Sequence, residues 1–161
     1  MTDSDTRPLR QALGRFATGV TIITCLDDTG HAVGLTANSF TSLSLAPPLV
    51  LWSLRRASPM RAAFAAAPHF AVNVLGEAQV DLARHFASQM PDRFSEGGWS
   101  PGLTGVPILA GCAAVFECTA VSQQDAGDHV LFIGRVERYA QGPVSPLLFQ
   151  AGHYHLLGEI L

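Results

Sequence analysis

The amino-acid sequence predicts a mostly β protein with short helices, in which antiparallel strands form a small barrel. About six or seven apolar stretches rich in β-branched residues are long enough for strands, and turn residues separate them. Hairpin-length connections join most neighbouring stretches, whereas the strands of a parallel sheet would need helical crossovers. At 161 residues the chain has the size of one domain, and we expect a single domain over residues 1–161.

The N-terminal part predicts a helix followed by a β-hairpin. Pro8 suits the first turn of a helix, and Gly19 stands where that helix would close. Residues 20–25 and 32–35 are apolar, and the turn residues at 27–30 between them indicate a hairpin. Within the helix, apolar residues recur at helical spacing and are expected to pack as one face: Leu9, Leu13 and Phe16.

The rest of the chain alternates strands with short helices. Residues 49–54 predict a third strand, and Ser58 followed by Pro59 predicts the cap and first position of a helix over 60–66. A long irregular segment inside a small domain usually has a function. In order, the pattern then predicts a strand over 70–74, a helix over 77–87, an irregular segment over 90–107, strands over 112–122 and 129–139 around a turn at 123–128, and a closing hairpin within 146–157.

Composition and charge narrow the possible functions. Only 14% of the residues are charged, against about 25% in typical soluble domains, which favours a homodimer that covers part of the surface. The net charge is −3 and the arginines form no basic stripe, so we expect no nucleic-acid partner. No apolar run approaches the ~20 residues of a membrane span, and the N-terminus is polar and acidic. We expect a cytoplasmic protein.

The three cysteines do not indicate a disulfide frame or a metal site. Cys25, Cys112 and Cys118 give an odd number without a CxxC pair, which fits a reducing compartment. Cys112 and Cys118 are six residues apart, so we expect both on one face of a strand, in the core. No glycine-rich motif of a Rossmann or P-loop nucleotide site is present either.

The segment from Thr36 to Ser44 is rich in uncharged hydrogen-bonding groups. Six of its nine side chains carry a hydroxyl or an amide, and small neighbours would let a ligand approach the backbone. An uncharged ligand edge with several donors and acceptors would suit such a segment. The alternative is a Ser- and Thr-rich strand end whose side chains satisfy their own backbone.

Several separated motifs resemble the short-chain flavin reductase family, whose fold is the FMN-binding split barrel. They are GLTANSFTSLSLAPPLVLWSL, SPMRAAF, PHFAVNVL, LARHFA, GDHVLFIGRVE and GHYHLL, and they span about residues 13–157. The resemblance implies an NAD(P)H:flavin oxidoreductase that passes a hydride from NADH or NADPH to FMN or FAD. It further implies the reductase component of a two-component flavin-dependent monooxygenase, which hands reduced flavin to a separate oxygenase.

The same resemblance assigns roles to residues. Ser58 would meet the phosphate, with Arg55, Arg56 or Arg61 nearby, because a helix N-terminus attracts anions; its alternative role is an N-cap. The segment matching Arg84, His85 and Phe86 closes over the flavin in relatives, and Phe86 suits the core equally well. The residues matching the flavin-lining strands are Thr36, Ala37, Asn38, Ser39, Trp52, Ser53 and Leu54.

Two histidine positions need separate interpretation. The resemblance places His129 on the nicotinamide side of the flavin, whereas an isolated histidine at a strand start is otherwise a structural hydrogen-bonding group. His153 and Tyr154 belong to the element that meets the pyridine nucleotide, although many relatives have arginine at the position of His153. His153 and His155 share one strand face, but no third ligand accompanies them, so we expect no metal.

Two other functions remain open from the residues. One is a flavoprotein that holds FMN tightly and reduces ferric iron or a corrinoid. The other is a non-catalytic flavin-binding module.

Overall fold

Antiparallel strands make up most of the fold. The computed structural model describes residues 3–161, with side chains described from Thr6 onward. The strands are β1 Thr18–Gly19, β2 Thr21–Leu26, β3 Ala32–Ala37, β4 Thr41–Leu45, β5 Pro48–Arg55, β6 His69–Val74, β7 Trp99–Pro101, β8 Pro107–Leu109, β9 Ala114–Ala126, β10 His129–Gln141, β11 Leu148–Gln150 and β12 His153–His155. The helices are α1 Asp3–Leu13, α2 Arg61–Ala66 and α3 Val80–Ala87, with 3-10 turns at Glu77–Gln79 and Arg93–Ser95.

Seven of the strands form the central sheet, in the order β3-β2-β6-β9-β10-β5-β4. Its described pairings are all antiparallel, and hairpins connect β2 to β3, β4 to β5 and β9 to β10. The predicted mostly β, antiparallel architecture is therefore confirmed. The edge strands β3 and β4 share no backbone ladder in the described part of the chain, which leaves a seam beside β3.

Two apolar clusters cover the two faces of this sheet. Trp52 belongs to one of them, whereas Phe86 and Leu109 belong to the other. The adjacent residues Ile22 and Ile23 belong to different clusters because successive side chains of a strand point to opposite faces. The strands β2 and β6 are consequently buried on both sides, which explains why they read as nearly continuous apolar runs.

A buried polar network fixes β8 on the sheet. Asn73, in β6, has no exposed surface; its Nδ2 donates to the carbonyl of Ile22, and its Oδ1 accepts from the amide of Leu109, both at 2.9 Å. The hydroxyl of Thr24 donates to the carbonyl of Pro107 at 2.6 Å. Because buried polar groups destabilise a fold unless they are hydrogen-bonded, these contacts specify where β8 lies.

The segment after α3, predicted as irregular over 90–107, contains short regular elements. A 3-10 turn at Arg93–Ser95 is followed by β7, which pairs with β8. The buried carboxylate of Glu117 accepts a hydrogen bond from the amide of Leu103 and forms an ion pair with Arg138. The carboxylate of Glu117 thus anchors the connection to the central sheet, and β7 and β8 form a separate two-stranded sheet within it. Glycine and proline content alone did not reveal these contacts.

The N-terminal helix differs from its prediction. α1 begins at Asp3, so Pro8 lies inside it rather than in its first turn, and the helix ends at Leu13 while Gly19 belongs to β1. Its predicted apolar face is not covered by the described residues of this chain, since Leu13 and Phe16 are 65% and 79% exposed. No helix in residues 3–161 is long and apolar enough to cross a membrane.

Three further segments differ from their sequence prediction. The polar segment before β5 contains β4, an edge strand with mostly exposed residues, so its apolar signal is weak. α2 begins at Arg61 with Met60 as its cap, so Ser58 is not the N-cap and Pro59 is not the first helical residue. The turn between β9 and β10 contains only residues 127–128, because both strands continue beyond the sheet core as a long hairpin.

All three cysteines are buried and free, as predicted for core residues. Burial raises the pKa of each thiol to about 12 because it disfavours the thiolate. The prediction that Cys112 and Cys118 share one face of a strand is wrong, however. Cys112 precedes β9 and packs in one cluster, whereas Cys118 lies within β9 and packs in the other.

Gly134 in β10 is required by packing, which gives a stability prediction. A Cβ at this position would lie 2.7 Å from Phe70 Cε1 and 3.1 Å from Cys118 Cβ, and both side chains are buried. We expect Gly134→Ala to lower the free energy of unfolding by about 1–3 kcal/mol. The matched control is Gly19→Ala, where an added Cβ meets nothing within 4 Å. Thermal melting of both variants tests this, and equal melting temperatures would contradict the packing argument.

Candidate functional site

A cleft of about 670 Å³ lies at the seam between β3 and β5; we call it the main cleft. Its walls are the end of β3, the end of β5, the turn before α2, the chain around the end of α3, and the start of β10. The lining residues are Leu35, Thr36, Ala37, Asn38, Ser39, Ser53, Leu54, Arg55, Ala57, Ser58, Pro59, Met60, Phe86, Ala87, Ser88, Gln89, Arg93 and His129.

Two hydroxyls of the predicted flavin-lining segment brace the cleft walls. Thr36 Oγ1 donates to the carbonyl of Ala83 at 2.6 Å, which ties β3 to α3. Ser39 Oγ donates to the carbonyl of Ser53 and accepts from its amide, both at 3.0 Å, which ties the end of β3 to β5. These two side chains thus satisfy backbone groups, as the alternative interpretation expected. The exposed side chain of Asn38 and the free backbone edge of β3 remain to face a ligand.

The predicted flavin-lining residues of β5 do not all line the main cleft. Ser53 and Leu54 line it, although Leu54 is mostly buried. The side chain of Trp52 has no exposed surface and lies in the core, with ring centroids 4.9 Å from Phe64 and 4.6 Å from Phe132. Trp52 is therefore not among the residues that line the main cleft, in contrast to its predicted place beside the flavin.

The candidate phosphate residues separate into two locations. Ser58 and Arg55 line the main cleft, and Ser58 Oγ accepts from the amide of Met60 at 3.2 Å. Arg56 instead pairs with Asp125 at 3.7 Å. Arg61 lines a different cleft of about 430 Å³ together with Asp125.

The three residues of α3 that were predicted to meet the flavin differ in how far they are buried. Phe86 is 1% exposed and packs against Phe94 in the core, yet its ring also forms part of the cleft wall. His85 is half-buried, with its Nε2 enclosed and without a hydrogen-bond partner among the described residues. Arg84 is exposed, 3.3 Å from an Asp81 oxygen, and its guanidinium lies 5.6 Å from the centre of the Tyr154 ring.

His129 lies at the mouth of the main cleft. Its Nδ1 is 2.7 Å from Oδ1 of Asp128, and its backbone lies opposite Arg55 in the β5–β10 ladder. The hydrogen bond from His129 lowers the pKa of Asp128, so this carboxylate stays ionised at neutral pH. The pair therefore places the imidazole beside the cleft with its Nδ1 directed to Asp128.

A second, smaller cleft of about 200 Å³ adjoins the main one. The two share Thr36, Ala37, Asn38 and Ala87, and the additional walls are apolar and aromatic, including Tyr154. The pKa of Tyr154 is raised above its ordinary value, because the effect of burial is larger than the opposing effect of nearby Arg84. His153 is exposed and lines neither cleft; its Nδ1 lies 2.9 Å from the carbonyl of Ala151.

Sequence reasoning missed Arg93, which lines the main cleft from the segment after α3. Its guanidinium contacts Gly34, Ser88 and Met60, so it joins three walls of the cleft. The only available signal was the length of the segment in which it lies. That signal predicted a function but could not indicate which residue carries it.

Comparisons with known proteins show which proteins the whole chain resembles. The model of the flavin reductase like domain matches residues 13–158. The stachydrine N-demethylase reductase subunit Stc3 of Rhizobium meliloti strain 1021 is 44% identical over 150 residues, which are 93% of this chain and 65% of that protein. The FMN reductase (NADH) SmoA of Agrobacterium fabrum strain C58 is 41% identical over 93% of this chain and 85% of that protein.

A solved structure gives the same result for the fold. The NADH:FAD oxidoreductase SgcE6 of Streptomyces globisporus C-1027, in complex with NAD and FAD fragments, superposes with a TM-score of 0.90 at 38% identity, covering 98% of this chain and 96% of that chain. The chain spans 65% of Stc3 and about half (48%) of the length of two further curated relatives. The match over residues 13–158, together with this superposition, shows that the chain belongs to the flavin reductase-like domain family.

Proposed function

We propose that this chain is an NADH-dependent flavin reductase that reduces FMN or FAD and supplies the reduced flavin to a separate monooxygenase. The observation that carries the proposal is the chemistry of the main cleft. Uncharged hydrogen-bonding groups line one side of it, and its ionisable lining residues are Arg55, Arg93 and His129, with no carboxylate among the described residues that line it. Relatives named as NADH-dependent flavin reductases support the same activity.

The cleft suits a flavin nucleotide in size and in charge. Its volume of about 670 Å³ lies within the roughly 300–1,000 Å³ of small-molecule sites. A flavin has a planar ring with hydrogen-bonding edges and an anionic phosphate tail. Amide and hydroxyl groups near Asn38 match the first feature, and the arginine side chains at the other walls match the second.

The chain's own residues would mainly position the reactants. When bound, the nicotinamide supplies a hydride that flavin N5 accepts, and this chemistry belongs to the cofactors. Backbone groups of Thr36–Ser39 would donate hydrogen bonds to the flavin edge, where negative charge develops. Leu35 and Phe86 give an apolar wall that keeps water away from the reacting rings. His129, oriented by Asp128, would hold the nicotinamide portion.

Both nucleotides would use adjoining space in one site. The main cleft and the smaller cleft are continuous at Thr36–Asn38, so two planar rings can lie against the same stretch of backbone. The aromatic wall at Tyr154, with Arg84 over its ring, offers a further surface beside the flavin. The three free cysteines fit a reducing compartment, and we propose the cytoplasm as the place of action.

The first functional prediction is that NADH oxidation depends on added flavin. We expect steady-state turnover with FMN, with FAD or with both, and little NADH oxidation without either. A colourless purified protein would fit a diffusible flavin, whereas a co-purifying yellow flavin would favour the prosthetic-group alternative. NADH that stays unoxidised in anaerobic mixtures with each flavin would contradict the enzymatic proposal.

We also propose a homodimer whose interface completes the cleft. Large apolar side chains are exposed on two regions: Leu13 and Phe16 at 65% and 79%, and Leu45 and Tyr139 at 93% and 74%. A partner subunit over such surfaces would bury about 2,000 Å² or more. Sedimentation at micromolar concentration should give twice the chain mass, and Phe16→Asp should shift the equilibrium toward monomer. A wild-type monomer with full activity would contradict this prediction.

The prediction for His129 separates a binding role from a structural one. If the imidazole contacts the nicotinamide, His129→Ala removes about 0.5–3 kcal/mol of interaction, which lowers kcat/KM for NADH by roughly two- to hundred-fold. The flavin dissociation constant should hardly change. The control is Asp128→Asn, which keeps the imidazole and should have a smaller effect. A lowered melting temperature with unchanged kinetics would assign His129 to the scaffold instead.

A further inference from the structure

Met60 places a thioether in the wall of the main cleft. The residue directly precedes α2, is half-buried, and is one of those that line the cleft. Nη1 of Arg93 donates to its Sδ at 3.2 Å, and the same nitrogen donates to the carbonyl of Gly34 at 3.3 Å. The sulfur therefore has a defined place in the wall, beside a cationic hydrogen-bond donor.

Met60 is also the sulfur-containing residue that lines the main cleft within the described part of the chain. The three cysteines are buried elsewhere, and burial raises the pKa of each thiol to about 12, so they remain protonated and are poor nucleophiles at neutral pH. A thioether needs no deprotonation, and a peroxide that reaches its sulfur converts it to the sulfoxide. An oxidant formed in the cleft would therefore meet Met60 rather than a cysteine.

The proposed function supplies such an oxidant whenever no monooxygenase takes up the product. Dioxygen that reaches the reduced flavin takes two electrons from it, with one proton from the flavin and one from the solvent. The products are oxidised flavin and hydrogen peroxide. Peroxide that forms before the flavin leaves has a higher local concentration at the cleft walls than in solution.

We propose that Met60 is oxidised to methionine sulfoxide by peroxide formed in the main cleft, an inference that rests on the proposed function. The lone pair of Sδ that does not accept from Arg93 attacks one peroxide oxygen, so that an S–O bond forms and the O–O bond breaks. The proton of the transferred oxygen passes to the departing hydroxide, which leaves as water. Sulfur loses two electrons and the peroxide gains them. The guanidinium of Arg93 stabilises the hydroxide while its negative charge develops.

Met90 gives an internal comparison within the same chain. Its side chain is 57% exposed, and it is absent from the residues that line the main cleft. Peroxide in the bulk solution reaches an exposed thioether more readily than a half-buried one, so it should favour Met90. Peroxide formed in the cleft meets Met60 first. The ratio of the two sulfoxides therefore reports where the oxidant was formed.

The experiment follows both methionines by mass spectrometry after aerobic turnover of the wild-type protein. The protein is incubated in the dark with NADH and FMN, without a monooxygenase, and catalase removes peroxide from the bulk solution. Trypsin cleaves after arginine and separates the two residues into peptides 57–61 and 85–93. The sulfoxide fraction of Met60 should exceed that of Met90 by roughly 3- to 10-fold, because formation in the cleft raises the local peroxide concentration.

Two controls isolate the source of the oxidant. Hydrogen peroxide added to the protein alone, without flavin, NADH or catalase, should reverse the ratio in favour of Met90. A sample with FMN but without NADH forms no reduced flavin and should show no increase at either position. Met60→Leu should remove the added oxygen from peptide 57–61, which confirms that the sulfur carries it.

The contrary results are distinct. Equal oxidation of Met60 and Met90 during turnover, or oxidation of Met60 that catalase abolishes, would overturn the assignment. A preference for Met60 with added peroxide alone would also overturn it, since solution peroxide would then explain the product. Continued NADH consumption in the same samples would leave the proposed function intact in each of these cases. Wild-type protein that consumes no NADH with either flavin would overturn both proposals.

Discussion

The position of the functional cleft depends on how the second face of the sheet is covered, and Asn73 is the centre of that arrangement. Its amide joins β2 to β8 inside the fold, so Leu109 is held against the sheet beside α3. α3 packs on the same apolar cluster through Ala83 and Phe86. The carbonyl of Ala83 then accepts from Thr36, which sets the distance between α3 and β3. A polar contact in the interior is thereby connected, through packing and one hydrogen bond, to a wall of the cleft at the surface.

The hydroxyl-rich segment performs two tasks that composition could not separate. Thr36 and Ser39 use their side chains to join walls of the cleft, while the backbone between them stays at a sheet edge. A rigid backbone edge is well suited to the ring of a flavin, because its donors need no reordering on binding. The side chains build the site, and the backbone and Asn38 are left for the ligand.

Strands with continuous apolar runs were predicted well, because burial on both faces leaves a strong signal in β2 and β6. The edge strand β4 was missed because its residues are mostly exposed and polar. The family motifs located the cleft through Thr36, Ser53 and His129. They could not locate Arg93, whose role depends on contacts with residues 33 and 59 positions away in the chain, and spacing carries no information about such contacts.

The distribution of charge fits the proposed function, in which anionic nucleotides bind to the main cleft and leave it in turn. The protein as a whole carries a net charge of −3, yet the ionisable side chains lining the main cleft within the described residues are all basic. A local positive potential can draw an anionic ligand into a cleft in spite of the overall charge. A dense cluster of arginines would bind the nucleotide too tightly for the proposed function, in which the reduced flavin leaves the protein. Arg93 is half-buried and already bonded to three walls, and Asp128 partly offsets the charge of Arg55. The cleft therefore keeps a moderate positive charge that can attract an anion. Such a moderate positive charge would suit the proposed function, in which a flavin binds in the cleft and then leaves it.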